Sequence, residues 1–542
     1  MDHPLRKKTK VAVIGAGVSG LCAAKYLLAE RLEDDPENGH FEVTIFESKK
    51  VAGGIWNQTP ADDLYATPMY PSCNTNVPRT MMQYEGVEYP DDTPLFPRNS
   101  VVKKYLHEYA EDLEDEAIFC YGTEVTGVKQ VQRMAQQKWK IDVKDTVTGK
   151  PTEHYFDCVV VALGTFAKPF VPALFETSVS HEIRIMHSKE YRTAHEFDKK
   201  KVLVVGSGPS YWDMSQEISK VCKGDLLVSV KQDEVIVLSS KKQRQVSEVS
   251  WISKASKLVL FKGGKNSIAP QDIDIILLCT GYLYDFSMIP CIKTTGDKKR
   301  ILSLYDHMIC IKEHEDPTQE DENLEAKKTR LKSASTLAFV GLLTMDNVFL
   351  VAEAQSALIA RYFSGRWTKP QTHMVRDRNA EYEELKTKDR HGSRRFHNMA
   401  YPSDAHYVDR LFEQSLASES PATMGTGKTP PFHSLYLHWV RTQIGVIRAA
   451  FNTKARNNED GRFSTLESLG FDFGQYNGSK EQKKKTIMMD KFRTLMEEKS
   501  DCWKEGYIHW IVKAGEWSKR WDVLETEWVL VKTEARLSEL NL

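Results

Sequence analysis

Lys10-Val11-Ala12-Val13-Ile14-Gly15-Ala16-Gly17-Val18-Ser19-Gly20 is the stretch that decides the fold. Lys10 to Ile14 reads as a buried strand, and Leu21, Ala24 and Leu28 then recur at helical spacing. Between strand and helix stand Gly15, Gly17, Ser19 and Gly20, in the arrangement a dinucleotide pyrophosphate requires. The glycines permit a tight turn and close backbone approach, and the helix N-terminus attracts phosphate. Phe41 to Phe46 reads as a second strand, completing a βαβ unit. Glu47 ends that strand, 27 residues past Gly20 (47 − 20). A carboxylate there accepts hydrogen bonds from ribose hydroxyls and suits a ribose without a 2′-phosphate.

A second unit opens at Lys201 to Val205, where an apolar strand runs into Gly206-Ser207-Gly208-Pro209-Ser210-Tyr211 and a helix carrying Met214, Ile218 and Val221 on one face. Tyr211 holds the place of the third glycine, so close packing of helix on strand is not expected. Leu226 to Val230 is the next strand, with Ser229 and Lys231 at its end in place of an acid. A hydroxyl and a cation suit a 2′-phosphate, so the second nucleotide reads as NADPH. Val159 to Leu163 and Ile273 to Leu278 are short apolar runs that lead out of the first unit and back into it.

At 542 residues the chain is long enough for two to four domains. Its 74 Lys and Arg nearly cancel 75 Asp and Glu, which leaves no global field for nucleic acid and favours a small-molecule partner. Nine cysteines without a C-x-x-C or Cys/His cluster argue against a disulfide framework or a metal site, and suit a reducing compartment. With no secretory leader and no apolar run of spanning length, a soluble, cytoplasmic protein is expected.

From here the order of elements resembles the flavin-containing monooxygenase family over roughly Lys10 to Gly365. Gly53-Gly54-Ile55-Trp56 matches its Gly-Gly-x-Trp segment, and Tyr70-Pro71-Ser72-Cys73-Asn74-Thr75-Asn76 resembles its active-site stretch. Ala162-Leu163-Gly164-Thr165 through Pro169, and Cys279-Thr280-Gly281-Tyr282, are similar to its two domain crossings. Phe339-Val340-Gly341-Leu342 and Glu353-Ala354-Gln355 resemble its closing strand and the helix beneath the flavin. In the linker, His187-Ser188-Lys189-Glu190-Tyr191-Arg192 fits the second half of the family fingerprint, while His181 and Ile183 replace the Phe and Gly of the first half. Tyr191, where the Baeyer–Villiger branch has Trp, is nearer the heteroatom oxygenases. His187 reads as a hinge residue rather than a proton carrier.

The resemblance implies an α/β fold of two Rossmann-like domains, the NADPH domain inserted in the FAD domain. It implies FAD-binding parts at 1–165 and 283–365 and an NADPH-binding part at 166–282; beyond it, where the texture turns charged and aromatic-dotted, 366–542 reads as an appended, largely helical extension of unknown role. Beside the glycine loops, Gly54, Trp56, Ser72, Thr165, Thr280 and Gln355 are implied cofactor neighbours. Asn76 is the candidate catalytic group, an amide that can hydrogen-bond the reacting oxygen without titrating. The implied chemistry is reduction of FAD by NADPH, addition of O2, and transfer of an oxygen atom from a hydroperoxyflavin to a soft nitrogen or sulfur nucleophile. Baeyer–Villiger oxidation of a ketone and a degenerate scaffold remain alternatives. A disulfide reductase fits poorly, because Cys73 lacks a C-x-x-C partner. Substrate identity and oligomeric state, a homo-oligomer included, stay open.

Three features lie outside this frame. Glu313 to Lys332 is charge-rich and reads as an exposed loop or hairpin. Gly427-Lys428-Thr429 imitates the end of a P-loop, but Ala422 stands where the first glycine belongs and Pro430 and Pro431 block the helix, so a flexible loop is expected. Trp503, Trp510, Trp517, Trp521 and Trp528 share one face of an expected helix docked on the body.

Overall fold

The computed structural model describes residues 7–471 apart from 33–34, 36–37, 135, 178–181, 232–235, 237, 239, 312–334, 345–346, 389–395, 419–427, 456–462 and 464. The charge-rich segment 313–332, His181 of the linker, Gly427 and the five C-terminal tryptophans fall outside the described residues.

The first unit comprises β1 (Thr9–Ile14), α1 (Val18–Ala29), β2 (Phe41–Phe46), α2 (Asn99–Glu114) and β3 (Ile118–Cys120). An antiparallel insert follows as β4 (Thr123–Arg133), β5 (Gln136–Asp145) and β6 (Pro151–Phe156), before β7 (Cys158–Val161) returns to the main sheet. The chain then crosses through β8 (Lys168–Pro169) and α3 (Ala173–Thr177) into β9 (Arg184–His187), β10 (Val202–Val205), α4 (Pro209–Val221), β11 (Leu226–Ser229) and β12 (Gln243–Val246). A small antiparallel sheet, β13 (Val249–Ile252), β14 (Leu258–Phe261) and β15 (Gln271–Asp272), precedes β16 (Ile275–Leu278). The return runs through β17 (Tyr282–Leu283), β18 (Leu304–Tyr305), β19 (Ile309–Cys310) and β20 (Leu337–Phe339) to α5 (Val348–Ser364). The extension supplies α6 (Gln371–Lys388), α7 (Ser403–Leu416) and α8 (Leu435–Ala455).

Two parallel-centred sheets result, in the orders β18-β19-β20-β7-β1-β2-β3 and β12-β11-β10-β16-β9. Val11, Ala12 and Val13 of β1 are fully buried, as a central strand covered on both faces demands. The strand pair β8–β17 carries the two crossings side by side, Tyr282 opposite Pro169. α1 buries Leu21, Ala24 and Leu28 as the helical spacing predicts. The insert β4–β6 was not anticipated, although Trp139, Ile141 and Val143 alternate inward as a half-buried strand should.

Candidate functional site

Gly15 leaves β1 at a φ of 105°, and a Cβ there would stand 2.6 Å from the Ala162 carbonyl oxygen. Gly20 is more constrained still: its Cβ would lie 1.8 Å from the Gly15 carbonyl oxygen. Gly54, at φ 55°, approaches Gly17 so closely that a Cβ would meet the Gly17 Cα at 2.9 Å. These close approaches leave a backbone cradle at the start of α1, whose N-cap, Gly17, makes no side-chain capping bond. The first-turn N–H groups therefore keep their affinity for an anion. Ser19 is turned toward Gly341, where a Cβ would stand 2.1 Å from its hydroxyl.

Glu47 is buried at the end of β2, oriented by backbone donors. Its Oε2 accepts from Ala16 N–H at 2.9 Å, and its Oε1 from Lys49 N–H at 2.9 Å and the Ser48 hydroxyl at 3.3 Å. A carboxylate offers about four acceptor sites, so Oε2 keeps one for a ribose hydroxyl. Trp56 is buried in the short turn Gly54–Trp56 next to this loop. The cradle, the uncapped helix and the held acid fit a dinucleotide.

The second loop repeats the construction. Gly206 has φ 109°, and its Cβ would meet the Cys279 carbonyl oxygen at 2.4 Å. Gly208 caps α4 without a side-chain bond, Pro209 occupies the first turn, and Ser210 is half-buried beside it. Tyr211, in the place of the third glycine, has its ring fully buried and its hydroxyl donating to Gln243 Oε1 at 3.1 Å. At the end of β11, Ser229 faces inward, its hydroxyl donating to the Ser247 carbonyl at 3.1 Å. Its position on the inner face of the strand commits that group to the core, whereas Lys231 is exposed at the strand end.

Between the loops, Tyr70–Asn76 is held by α2: Asn99 Nδ2 donates to the Tyr70 carbonyl at 3.1 Å, and Asn99 N–H to the Cys73 carbonyl at 3.0 Å. Tyr70 reaches the second unit, its hydroxyl donating to Asp213 Oδ2 on α4 at 3.1 Å. Ser72 and Asn76 are exposed. Thr165 is half-buried in the outgoing crossing, and the Thr280 hydroxyl donates to the Phe170 carbonyl, closing the return.

His187 is buried, with Nδ1 accepting from Lys189 N–H at 3.1 Å and Nε2 facing the Gly281 carbonyl at 3.1 Å. That pair of partners fixes a neutral ring with its proton on Nε2. Burial holds the imidazolium pKa down to about 4. Arg192, which closes the linker fingerprint, ties this linker to the first unit by donating to the carbonyls of Thr59 at 2.8 Å and Thr67 at 3.1 Å.

On α5, Gln355 is fully buried and supports rather than lines the site. Its Oε1 accepts from Gly341 N–H at 3.1 Å, and its Nε2 donates to the Tyr407 hydroxyl at 2.9 Å. Glu353 accepts from Glu85 N–H at 2.9 Å and faces Lys428 Nζ at 3.8 Å. Burial raises its carboxyl to about 7, with Lys428 opposing the shift. Lys428 also donates to the Glu85 carbonyl at 2.8 Å. The expectation of a flexible loop is thus corrected for Lys428 and Thr429: a buried acid and two carbonyl contacts anchor them.

Among the described residues there is no group of three or more metal-ligating side chains, and no helix is long and apolar enough to cross a membrane. The Flavin-binding monooxygenase-like family profile matches residues 8–249. The flavin-containing monooxygenase FMO GS-OX3 of Arabidopsis thaliana is 31% identical over 402 residues, covering 69% of this chain and 78% of that protein. The trimethylamine monooxygenase of a Pelagibacter species is 30% identical over 292 residues, covering 52% of this chain and 62% of that one. Among solved structures, the S-allyl-L-cysteine S-oxygenase of Allium sativum superposes with a TM-score of 0.64 at 22% identity, covering 86% of this chain and 97% of its own. That last likeness is one of fold.

Proposed function

The chain belongs to the flavin-containing monooxygenase family and is a flavin-dependent monooxygenase, and from that premise we propose that it binds FAD and NADPH and transfers one oxygen atom of O2 to a soft nitrogen or sulfur nucleophile of a small molecule. The observation that carries this reading is the pair of nucleotide turns built alike, Gly15 against Ala162 and Gly206 against Cys279.

Gly15, Gly17 and Gly20 would hold the FAD pyrophosphate by backbone N–H groups, and Glu47 the adenosine ribose. Gly206, Gly208 and the first turn of α4 would hold NADPH, with Lys231 as a point charge for the 2′-phosphate. When bound, FAD would supply the redox chemistry between NADPH and O2, which no side chain of the protein can supply. Asn76 would donate a hydrogen bond where negative charge develops on the reacting oxygen, at any pH in the working range. His187 exchanges no proton, since both ring nitrogens are engaged; it holds the hinge. The linker aromatic Tyr191 donates its hydroxyl to Glu217 at 2.6 Å, tying the linker to α4.

Incubation of the purified protein with NADPH, O2 and a panel of amines, thioethers and ketones tests the proposal. Products one oxygen atom heavier are expected from amines or thioethers. Ester formation from ketones alone, or a flavin that NADPH cannot bleach, would overturn it.

A further inference from the structure

We infer that the C-terminal extension completes the active site: Arg448 of α8 is a positioning residue that clamps the Tyr70–Asn76 segment through the Thr75 carbonyl. The inference rests on the proposed role of Asn76, the residue that follows Thr75.

Arg448 Nη1 donates to the Thr75 carbonyl, and its guanidinium carbon lies 4.7 Å from the centre of the Phe96 ring. One turn further along α8, Phe451 packs against Phe96 with ring centroids 4.9 Å apart. The chain beyond α8 grips the same loop, the Phe463 carbonyl accepting from Leu95 N–H at 2.9 Å. Thr75 N–H in turn donates to the Pro97 carbonyl at 3.0 Å. The segment is therefore fixed by its amide from the loop that leads into α2, and by its carbonyl from the extension.

Asp213 accepts from the Tyr70 hydroxyl and lies on the same helix as Glu217, one turn on. Tyr70, Cys73, Glu217 and Arg448 act on it, and Arg448 is the cation among them. Desolvation raises the Asp213 carboxyl, and Arg448 is the largest opposing influence. Without the guanidinium, the buried Asp213 carboxylate would be left with the Tyr70 hydroxyl against burial and the Glu217 charge, a costly state that proton uptake or movement of the segment relieves. Arg448 thus ties the extension to the active-site segment of the first unit and sets a positive charge against Asp213 of the second nucleotide helix.

The test uses the full-length holoprotein and the variants R448M, R448K and D213N/R448M. Two quantities are read: backbone hydrogen exchange of the peptide spanning Tyr70–Asn76, followed by mass, and the fraction of consumed NADPH that ends as hydrogen peroxide. R448M should speed exchange of that peptide about tenfold, the scale of one charge-assisted hydrogen bond, and raise the peroxide fraction. R448K, which keeps the charge without the planar fork, should fall between, and it serves if R448M does not fold. D213N/R448M should recover toward the wild type, because the carboxylate that needs a cation is gone; a role in packing alone would give no such recovery. Unchanged exchange of the Tyr70–Asn76 peptide in the Arg448 variants, or a double variant no better than R448M, overturns the inference. Absence of NADPH oxidation by the wild type would overturn the proposed function instead, while hydrogen exchange still reports on Arg448.

Discussion

Replacing Gly20 with alanine puts one methyl group into the FAD cradle and nowhere else. The new Cβ would stand 1.8 Å from the Gly15 carbonyl oxygen, whereas real Cβ contacts essentially never fall under 3.0 Å. The start of α1 or the Gly15 turn must therefore shift by at least 1.2 Å (3.0 − 1.8). Both neighbours are backbone in a packed sheet, so no flexible side chain can absorb the move. Overpacking of this kind costs about 1–3 kcal/mol or more. Because the displaced atoms are the ones that would touch the pyrophosphate, about 3 kcal/mol there weakens flavin binding at least a hundredfold. Gly208→Ala is the matched control: Gly208 has φ −74°, and an added methyl would meet no atom within 4 Å. The assay is the flavin-to-protein absorbance ratio after gel filtration. Gly20→Ala should emerge colourless and Gly208→Ala yellow, any effect of the latter falling on NADPH. Wild-type flavin content in Gly20→Ala would refute the reasoning.

Three further outcomes follow from the same geometry. Lys231→Ala should raise the Michaelis constant for NADPH roughly ten- to a hundredfold and leave NADH almost unaffected, since Lys231 would bear the phosphate without Ser229; steady-state kinetics with both coenzymes decide. Asn76→Ala should still allow flavin reduction but lose product to peroxide, the missing donor costing ~3 kcal/mol in the step it assists; unchanged coupling would remove Asn76 from the mechanism. His397, buried between Ile301 N–H and His307 Nδ1 at 3.1 Å each, has its pKa held well below the usual value, chiefly by burial. A depressed folded-state pKa means that stability is complete above about pH 6.5 and falls as the pH drops below it, by up to about 1.4 kcal/mol per unit for this histidine. Melting temperatures between pH 7.5 and 5.5 should show that slope, and His397→Phe should flatten it; an equal slope in the variant would shift the cause elsewhere.

The cradle was legible in the sequence because its demands are local: a strand end, a turn at positive φ and a helix start lie within a dozen residues, and only glycine meets them at Gly15 and Gly20. Glu47 was legible for the same reason. That Tyr211 is large was legible, but its partner was not: the spacing does not disclose that the hydroxyl reaches Gln243, 32 residues on. Ser229 depended on which face of β11 it occupies, which Gly206 and its neighbours do not disclose. Lys428 imitated a nucleotide motif, and its actual partner, Glu353, lies 75 residues earlier (428 − 353). Arg448 was beyond reach altogether: its bond to Thr75 spans 373 residues, and an arginine on a helix carries no local mark of its destination.

The most direct measurement of the central claim is isotopic: the protein is given NADPH, 18O2 and a trialkylamine or thioether in unlabelled water, and the product is weighed. One 18O atom per molecule of N- or S-oxide, formed with NADPH consumption, is the predicted result. An oxide carrying oxygen from water, or NADPH oxidation that yields only peroxide with every nucleophile tried, would contradict the account.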